Sequence, residues 1–234
     1  MFDYASCWAW EVQPQGKDFS YFQLVFEMYR GLRRLGLNVD IVSPATPDLE
    51  GRKIVLIPGL FAWTDALKDA LNAFEGQVLV GPRTGSKTDG FWVPDGLPPA
   101  LPENLLDLKV LRVESLRPDT PIPIQGGGAF KGWREFTEGG EVELRCEDRE
   151  PALSTRGGLS YLAGWPDGDL LERILSHMTK AADLKTMSLP DGLRTRWRGT
   201  TLFVFNYDET SHDLKPLGLE GTLEPSDVSV FSIE

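Results

Sequence analysis

The chain has 234 residues, of which 41% are hydrophobic and 25% are charged, and 35 acidic against 24 basic residues give a formal net charge of −11. This length fits one large domain, or a medium domain with a small one. The acidic surplus argues against a nucleic-acid partner, because phosphate backbones require a basic face. No apolar run approaches the roughly 20 residues that span a bilayer. Residues 1–4 lack the order of a signal peptide. We expect a cytoplasmic protein without a nucleic-acid or membrane partner.

The first third of the chain predicts one unusual helix. Residues 2–6 have the pattern of a short strand. A helix is predicted from Asp18, a good N-cap residue, to Leu35, with Gly36 placed to end it. Aromatic and aliphatic residues surround most of its first three turns, which is typical of a helix buried on more than one side. In a domain of this size, the second side can belong to another subunit or domain.

The next segments predict a parallel sheet. Strands are expected at residues 39–42, 53–58 and 77–80. The last two are continuous apolar runs, which are typical of parallel strands that are covered on both faces. A helix at residues 64–75 is predicted between them. The order of strands and helices therefore indicates an open α/β sheet.

The remaining segments predict shorter elements, with a change from mixed helices and strands to strands alone near residue 189. Strands are expected at residues 111–115, 141–146 and 159–163, a loop at 118–132, and an amphipathic helix from Asp169 to about Ala182. From residue 189 onwards the helical pattern is gone. Strands at residues 193–198, 200–206 and 228–233 then predict a small second domain made of β-structure.

The segment LVGPRTGSKTDG at residues 79–90 is a candidate anion-binding loop, because it follows a predicted buried strand and contains Arg83 and Lys87. It matches neither GxxxxGK[ST] nor GxGxxG, and no clear helix follows it. A structural or interface loop is the better interpretation.

Candidate nucleophiles and metal ligands are few. Neither Cys7 nor Cys146 lies on a sharp turn between a strand and a helix, and no GxSxG motif occurs. The two histidines are His177, late in a predicted helix, and His212, in an acidic turn region. These four residues are far apart in sequence and form no ligand motif. We therefore predict no catalytic, cofactor-binding or metal-binding residue and no cofactor.

The chain contains seven tryptophans, more than is usual. Tryptophan stacks on sugar rings and is also enriched in subunit interfaces. A core or interface role is the more common one for any single tryptophan. The seven are Trp8, Trp10, Trp63, Trp92, Trp133, Trp165 and Trp197.

Several blocks of sequence resemble the middle region of β-galactosidases of glycoside hydrolase family 42. They occur in the order of that family: FDYAS at residues 2–6, WEVQPQ at 10–15, YRGLRRLGLNVDIV at 29–42, VGPRTGSKT at 80–88, RVESLRP at 112–118 and YLAGWPDGDLL at 161–171. Residues 190–234, with FVFNY at 203–207, resemble a shortened form of the C-terminal β domain of the family.

The resemblance implies that the parent protein has three parts: a catalytic TIM barrel, a trimerisation domain and a small β domain. It implies an open, mostly parallel sheet that is flavodoxin-like or class I glutamine-amidotransferase-like, with helices on both faces, followed by a small all-β C-terminal domain. The domains would be residues 1–188 and 189–234. A TIM barrel needs about 200 residues or more, so this chain would lack the barrel and its two catalytic glutamates.

The expected function is therefore non-catalytic oligomerisation within a β-galactosidase whose full-length form hydrolyses terminal β-D-galactosides by a retaining mechanism. The expected partner is a homo-oligomer, with a trimer in the parent, and substrate would be met only through the barrel. Two alternatives stay open: an orphan amidotransferase-like hydrolase that uses Cys7 or a serine, and a carbohydrate-binding accessory module.

Overall fold

A computed structural model describes residues 1–14, 19–102 and 104–232. The chain divides into two compact units, each described by itself below. Unit 1 holds Met1–Met28 and Ile41–Asp183, and unit 2 holds Tyr29–Asp40 and Leu184–Glu234. The domain boundary between residues 188 and 189 stays a prediction.

The elements follow in chain order. The first part of the chain holds α1 (Tyr4–Val12), α2 (Tyr21–Arg34), β1 (Ile54–Ile57), α3 (Asp65–Asn72), β2 (Gln77–Val80), β3 (Leu108–Ser115), β4 (Ile122–Pro123), β5 (Ala129–Gly139), β6 (Glu141–Arg145), β7 (Pro151–Arg156), β8 (Leu159–Leu162), β9 (Gly164–Pro166) and α4 (Gly168–Ala181). The last part holds β10 (Leu193–Arg198), β11 (Thr201–Asn206), β12 (His212–Asp213), a 3₁₀ turn (Lys215–Leu217), β13 (Thr222–Leu223) and β14 (Val228–Ser232). Helix α2 begins in unit 1 and ends in unit 2.

The predicted parallel α/β sheet is only partly present, and the predicted fold class is wrong. The larger sheet of unit 1 has the order β1-β2-β8-β7-β6, in which β1, β2 and β8 are parallel but β7 and β6 pair antiparallel. A second sheet, β3-β5-β4 with β9 paired to β5, is entirely antiparallel. The described residues therefore form mostly β-structure rather than a flavodoxin-like or amidotransferase-like sheet with helices on both faces.

The physical reason is that the consecutive strands of residues 141–162 form hairpins instead of being joined by crossover helices. Gly139 and Gly140 both have positive φ angles, of 102° and 68°, and join β5 directly to β6. A Cβ on Gly139 would lie 2.2 Å from the carbonyl oxygen of Asp107, so this tight connection requires glycine. Residues 146–150 join β6 to β7, and Gly157 and Gly158 join β7 to β8, so neither connection can hold a crossover helix and both pairs are antiparallel.

The parts of the prediction that rest on clear periodicity are confirmed. These are strands β1 and β2 with their parallel pairing, helices α2, α3 and α4, and the short strands after residue 189. The predicted start of α2 at Asp18 lies outside the described residues. The predicted strand at residues 2–6 is wrong, because Asp3 accepts a hydrogen bond from the Ser6 backbone N–H at 2.8 Å and caps α1. No strand forms at residues 39–42.

The core of unit 1 lies beneath the parallel part of the larger sheet. It joins β1, β2 and β8 to α3 and to the start of β3, with Ile57, Leu67, Val80 and Leu108 among its members. Helix α1 buries Ala9 and Trp10, and helix α2 buries Tyr21, Leu24 and Met28. Both helices therefore present one apolar face inwards, which leaves their outer faces for other contacts.

Unit 2 is built around a three-stranded antiparallel sheet in the order β10-β11-β14. Its own small core contains Leu193, Leu202, Val204, Leu214 and Leu223. The first segment of the unit is held by Arg33, whose guanidinium donates to the carbonyl oxygens of Leu37 at 2.7 Å and Thr195 at 2.8 Å. The predicted all-β C-terminal region is therefore confirmed as β-structure.

Candidate functional site: exposed apolar patches around a closed interior

The predicted anion loop does not present its arginine to solvent. Arg83 is buried, and its guanidinium carbon lies 4.7 Å from the ring centre of Trp10, 5.1 Å from Phe61, 5.2 Å from Phe19 and 5.5 Å from Trp133. A cation over several aromatic faces is stabilised by their quadrupoles. The loop therefore uses Arg83 as a structural cation.

A buried carboxylate faces this arginine. Glu135 is only 3% exposed. It accepts hydrogen bonds from the Arg83 backbone N–H at 2.8 Å, the Trp133 Nε1–H at 3.1 Å and the Tyr161 hydroxyl at 2.6 Å. Burial raises the pKa of Glu135, and these donors together with the Arg83 charge act in the opposite direction. Sequence analysis missed Glu135, because nothing in the chain order indicates that β2, β5 and β8 meet there.

Burial lowers the pKa of Arg83 to about 10, and the nearby Glu135 charge opposes this shift. The guanidinium Nη1 has no hydrogen-bond partner among the described residues, while Nη2 donates to the Gln13 carbonyl at 3.3 Å. Arg83 thereby ties the end of α1 to the loop after β2. The arrangement joins three parts of unit 1.

The two cysteines predicted as weak candidates are not activated as nucleophiles. Burial, together with the Glu11 carboxylate 3.7 Å away, raises the pKa of Cys7. Burial raises the pKa of Cys146 to about 11. Both are free thiols. A raised pKa opposes formation of the thiolate, the nucleophilic form.

Each histidine is next to a carboxylate. His177 Nε2 lies 3.6 Å from Glu143, and His212 Nε2 lies 3.1 Å from Asp208. In the part of the chain that the structure describes, no three His, Cys, Asp or Glu side chains come together as a metal site.

The seven tryptophans divide between interior and surface. Trp10, Trp133 and Trp165 are buried, Trp63 and Trp197 are half-buried, and Trp8 and Trp92 are exposed. The two exposed ones each belong to a larger group of apolar side chains. The tryptophan surplus is therefore partly interior packing and partly exposed surface.

The first group, the helix patch, consists of Tyr4, Trp8, Val12, Phe22 and Phe26 on the outer faces of α1 and α2. Each residue is 41–79% exposed. Phe2 connects the two helices, since its ring centre lies 5.0 Å from Tyr4 and 6.4 Å from Phe22. Aromatic side chains cover about 200 Å² each, so the patch exposes about 500 Å² of apolar surface.

The second group, the loop patch, consists of Phe91, Trp92, Val93 and Leu97, which are 50–76% exposed. Its conformation is fixed locally. The Thr88 N–H donates to the Trp92 carbonyl at 2.9 Å, and the Trp92 N–H donates to the Thr88 hydroxyl at 3.1 Å. By the same reasoning it exposes about 400 Å² of apolar surface.

The third group, the sheet patch, lies in unit 2 on the outer face of β11 and β14. Phe203, Phe205 and Tyr207 form a row with ring centres 6.5 and 6.0 Å apart, and Val228 and Val230 lie across from Phe205 and Phe203. The first two aromatic rings are only half-exposed. These two aromatic rings of the sheet patch are therefore less exposed to solvent than most of those in the other two patches.

Exposed apolar patches of this size are typical of a domain that contacts other protein surfaces. Residues 1–185 match the family model described as the β-galactosidase trimerisation domain. The chain belongs to this family, the trimerisation region of glycoside hydrolase family 42 β-galactosidases, so the predicted family is confirmed.

Individual relatives agree with this assignment. A β-galactosidase of Thermus thermophilus is 45% identical over 211 residues, which cover 88% of this chain and 33% of the relative. The crystal structure of a β-galactosidase from the psychrophilic Marinomonas ef1 is 34% identical with a TM-score of 0.93, and covers 100% of this chain and 37% of that one. A β-galactosidase from the Antarctic haloarchaeon Halorubrum lacusprofundi is 29% identical with a TM-score of 0.88, and covers 99% of this chain and 38% of that one.

The chain thus spans about a third of the length of these relatives. Among the described residues, no helix has both the length and the apolar character that crossing a membrane requires.

Proposed function

We propose that this chain is the non-catalytic region that joins the subunits of a homotrimeric β-galactosidase, with the helix patch as one of its subunit contacts. The observation that carries the proposal is the continuous aromatic surface on α1 and α2. Its area of about 500 Å² approaches the roughly 800 Å² per partner of a specific protein interface, and charged contacts around it can supply the rest.

The helix patch is costly as a solvent-exposed surface, which supports its role as a contact. Tyr4, Trp8 and Val12 recur every four residues on one face of α1, while the opposite face buries Ala9 and Trp10. Covering about 500 Å² of apolar surface contributes on the order of 10 kcal/mol before the losses of entropy on association. Such a surface is therefore well suited to association between subunits.

For the whole protein, we propose hydrolysis of terminal β-D-galactosides by a retaining mechanism in the cytoplasm. The two carboxylates of such a mechanism lie about 5 Å apart and would belong to a barrel outside this chain. Substrate would be met only there. We also keep residues 1–188 as the trimerisation domain and residues 189–234 as the small C-terminal β domain.

Light scattering on the full chain at micromolar concentration tests the oligomer. The wild type should have three times the mass of one chain, and the double variant W8S/F22S should be monomeric with an unchanged circular dichroism spectrum. Ile41 is an exposed aliphatic residue that is not a member of the helix patch, so I41S is the matched control and should stay trimeric. A monomeric wild type, or a trimeric W8S/F22S, would contradict the assignment.

A chromogenic β-galactoside tests the lack of catalysis. The purified chain should produce no turnover above a blank from the same expression host. Activity that follows the chain through every purification step would overturn this part of the proposal. The raised pKa values of both thiols separately disfavour the alternative of an amidotransferase-like hydrolase that uses Cys7.

A further inference from the structure

The three-fold symmetry of the proposed trimer restricts which surface patches can contact each other. A two-fold dimer can join a patch to its own copy, whereas a contact away from the axis of a closed ring of three joins one patch on each subunit to a different patch on the next. A helix patch placed away from the axis therefore needs a separate complementary surface. This reasoning rests on the proposed function.

We infer that the complementary surface is the loop patch of a second copy of this chain, which packs against the helix patch in a head-to-tail contact. Three copies would make this contact three times and close the ring. Both patches belong to unit 1, and both lie within residues 1–185, the part matched by the trimerisation-domain family.

The areas of the two patches match. The loop patch exposes about 400 Å² and the helix patch about 500 Å². Their contact would bury about 900 Å² in total, and polar side chains at the rim would bring this towards the 1,200 Å² at the lower end of specific interfaces. Trp92 is 76% exposed, and tryptophan is among the residues most often found at the energetic centre of an interface.

The backbone conformation of the loop patch is also pre-organised for contact. Phe91 has a φ of 62°, in the left-handed region that residues other than glycine rarely adopt. Hydrogen bonds between Thr88 and both Phe91 and Trp92 maintain this conformation. A rigid apolar loop loses little conformational entropy when it binds, and strained backbone of this kind is concentrated at functional sites.

The other exposed apolar surfaces fit less well. The sheet patch has its aromatic rings half-covered, and Tyr207, Val228 and Val230 lie beyond the residues matched by the family model. Leu111 and Val113 on β3 are about half-exposed, but two side chains give too small an area. The loop patch is therefore the best complement within unit 1.

A mixing experiment tests the pairing. Variant W8E/F22E lacks a working helix patch and keeps its loop patch, whereas variant W92E/V93E has the reverse defect. Each variant alone should be monomeric by light scattering, with the circular dichroism spectrum of the wild type. Mixed in equal amounts, they should form a heterodimer of one chain of each, which cannot close because only one good contact remains. I41E is the matched control and should stay trimeric.

A cross-linking experiment gives a second readout. Cys7 is half-exposed and precedes Trp8, while Cys146 is buried. Under a mild oxidant, V93C should give disulfide-linked dimers and trimers by joining the introduced thiol to Cys7 of the next copy. The control V93C/C7S should give none.

The outcomes separate this inference from the function on which it rests. A monomeric wild type would contradict the proposed function itself. With a trimeric wild type, the pairing is overturned if W92E/V93E alone stays trimeric. It is also overturned if the mixture stays monomeric and V93C gives no cross-linked product. A heterodimer in the mixture, or a cross-link that depends on Cys7, supports the pairing.

Discussion

The hydrogen bonds to Glu135 predict how much unit 1 depends on its buried charge pair. Replacing Tyr161 by phenylalanine keeps the ring and removes only the hydroxyl, which donates to the Glu135 carboxylate at 2.6 Å. A hydrogen bond to a charged acceptor contributes about 1.5–3 kcal/mol. Because both residues are buried, Y161F should lower the free energy of unfolding by about 2 kcal/mol.

Removing the Glu135 carboxylate should lower the free energy of unfolding more than Y161F does. E135A takes the acceptor away from the Arg83 backbone, Trp133 and Tyr161 at once, and leaves the Arg83 guanidinium without its counter-charge. Loss of one partner from a buried charge pair typically costs about 3–5 kcal/mol. E135A should therefore lower the free energy of unfolding by at least the upper end of the range given for Y161F.

Urea unfolding measures both effects. With a denaturant dependence of about 2 kcal/mol per molar, a loss of 2 kcal/mol moves the midpoint down by about 1 M. Tyr207 is an exposed tyrosine, so Y207F is the matched control and should change stability by less than about 0.5 kcal/mol. The reasoning is refuted if Y161F shifts the midpoint no more than Y207F does.

The contribution of Glu135 to the stability of the fold changes with pH in a defined direction. Burial raises the pKa of Glu135 above its ordinary value of 4.5, so the folded chain binds the proton more tightly than the unfolded chain. The stability that this group contributes is therefore present below pH 4.5 and is lost as the pH rises through the raised value. The stability of wild type relative to E135Q should fall over this window. A difference that is flat or rises with pH would contradict the direction of the shift.

Two further predictions concern single side chains with defined hydrogen bonds. Asn206 donates to the carbonyl oxygens of Thr210, Leu223 and Glu224 at 2.8–3.2 Å, so N206A should destabilise unit 2 by about 2–4 kcal/mol in thermal unfolding; a loss below about 1 kcal/mol would show that these bonds contribute little. Asp167 caps α4 by accepting from the Leu170 N–H at 2.8 Å, so D167A should cost about 1 kcal/mol while D167N retains the cap. Equal losses in D167A and D167N would refute the capping role.

Local patterns in the sequence were sufficient for several elements. The continuous apolar runs at β1 and β2 predicted two parallel strands, because strands covered on both faces have no polar side. The helices α3 and α4 followed from their apolar faces, and the structure shows Thr64 and Asp167 as their N-caps. These signals depend on residues near one another in the chain, so they can be read without the fold.

Strand direction after residue 108 could not be predicted in the same way. The fold class was wrong because part of β5 was predicted as a loop, β7 was not predicted, and β6 gives no signal of which neighbour it pairs with. That choice depends on the short connections from β6 to β7 and from β7 to β8, and on contacts across the sheet. An antiparallel strand and a parallel strand of similar length differ in their partners more than in their own residues.

The sequence alone determined the family, through motif blocks in a fixed order, and the local elements whose periodicity spans a few turns or strands. The tertiary structure decided which side chains are available for contact. Trp8 and Trp10 are two positions apart on the same helix, yet Trp10 donates to the Gly59 carbonyl at 3.1 Å in the interior while Trp8 is 60% exposed. Arg83, a candidate for anion binding by sequence, is likewise enclosed by rings from distant segments. Exposure depends on what packs against a residue, and those partners are brought together only by the folded chain.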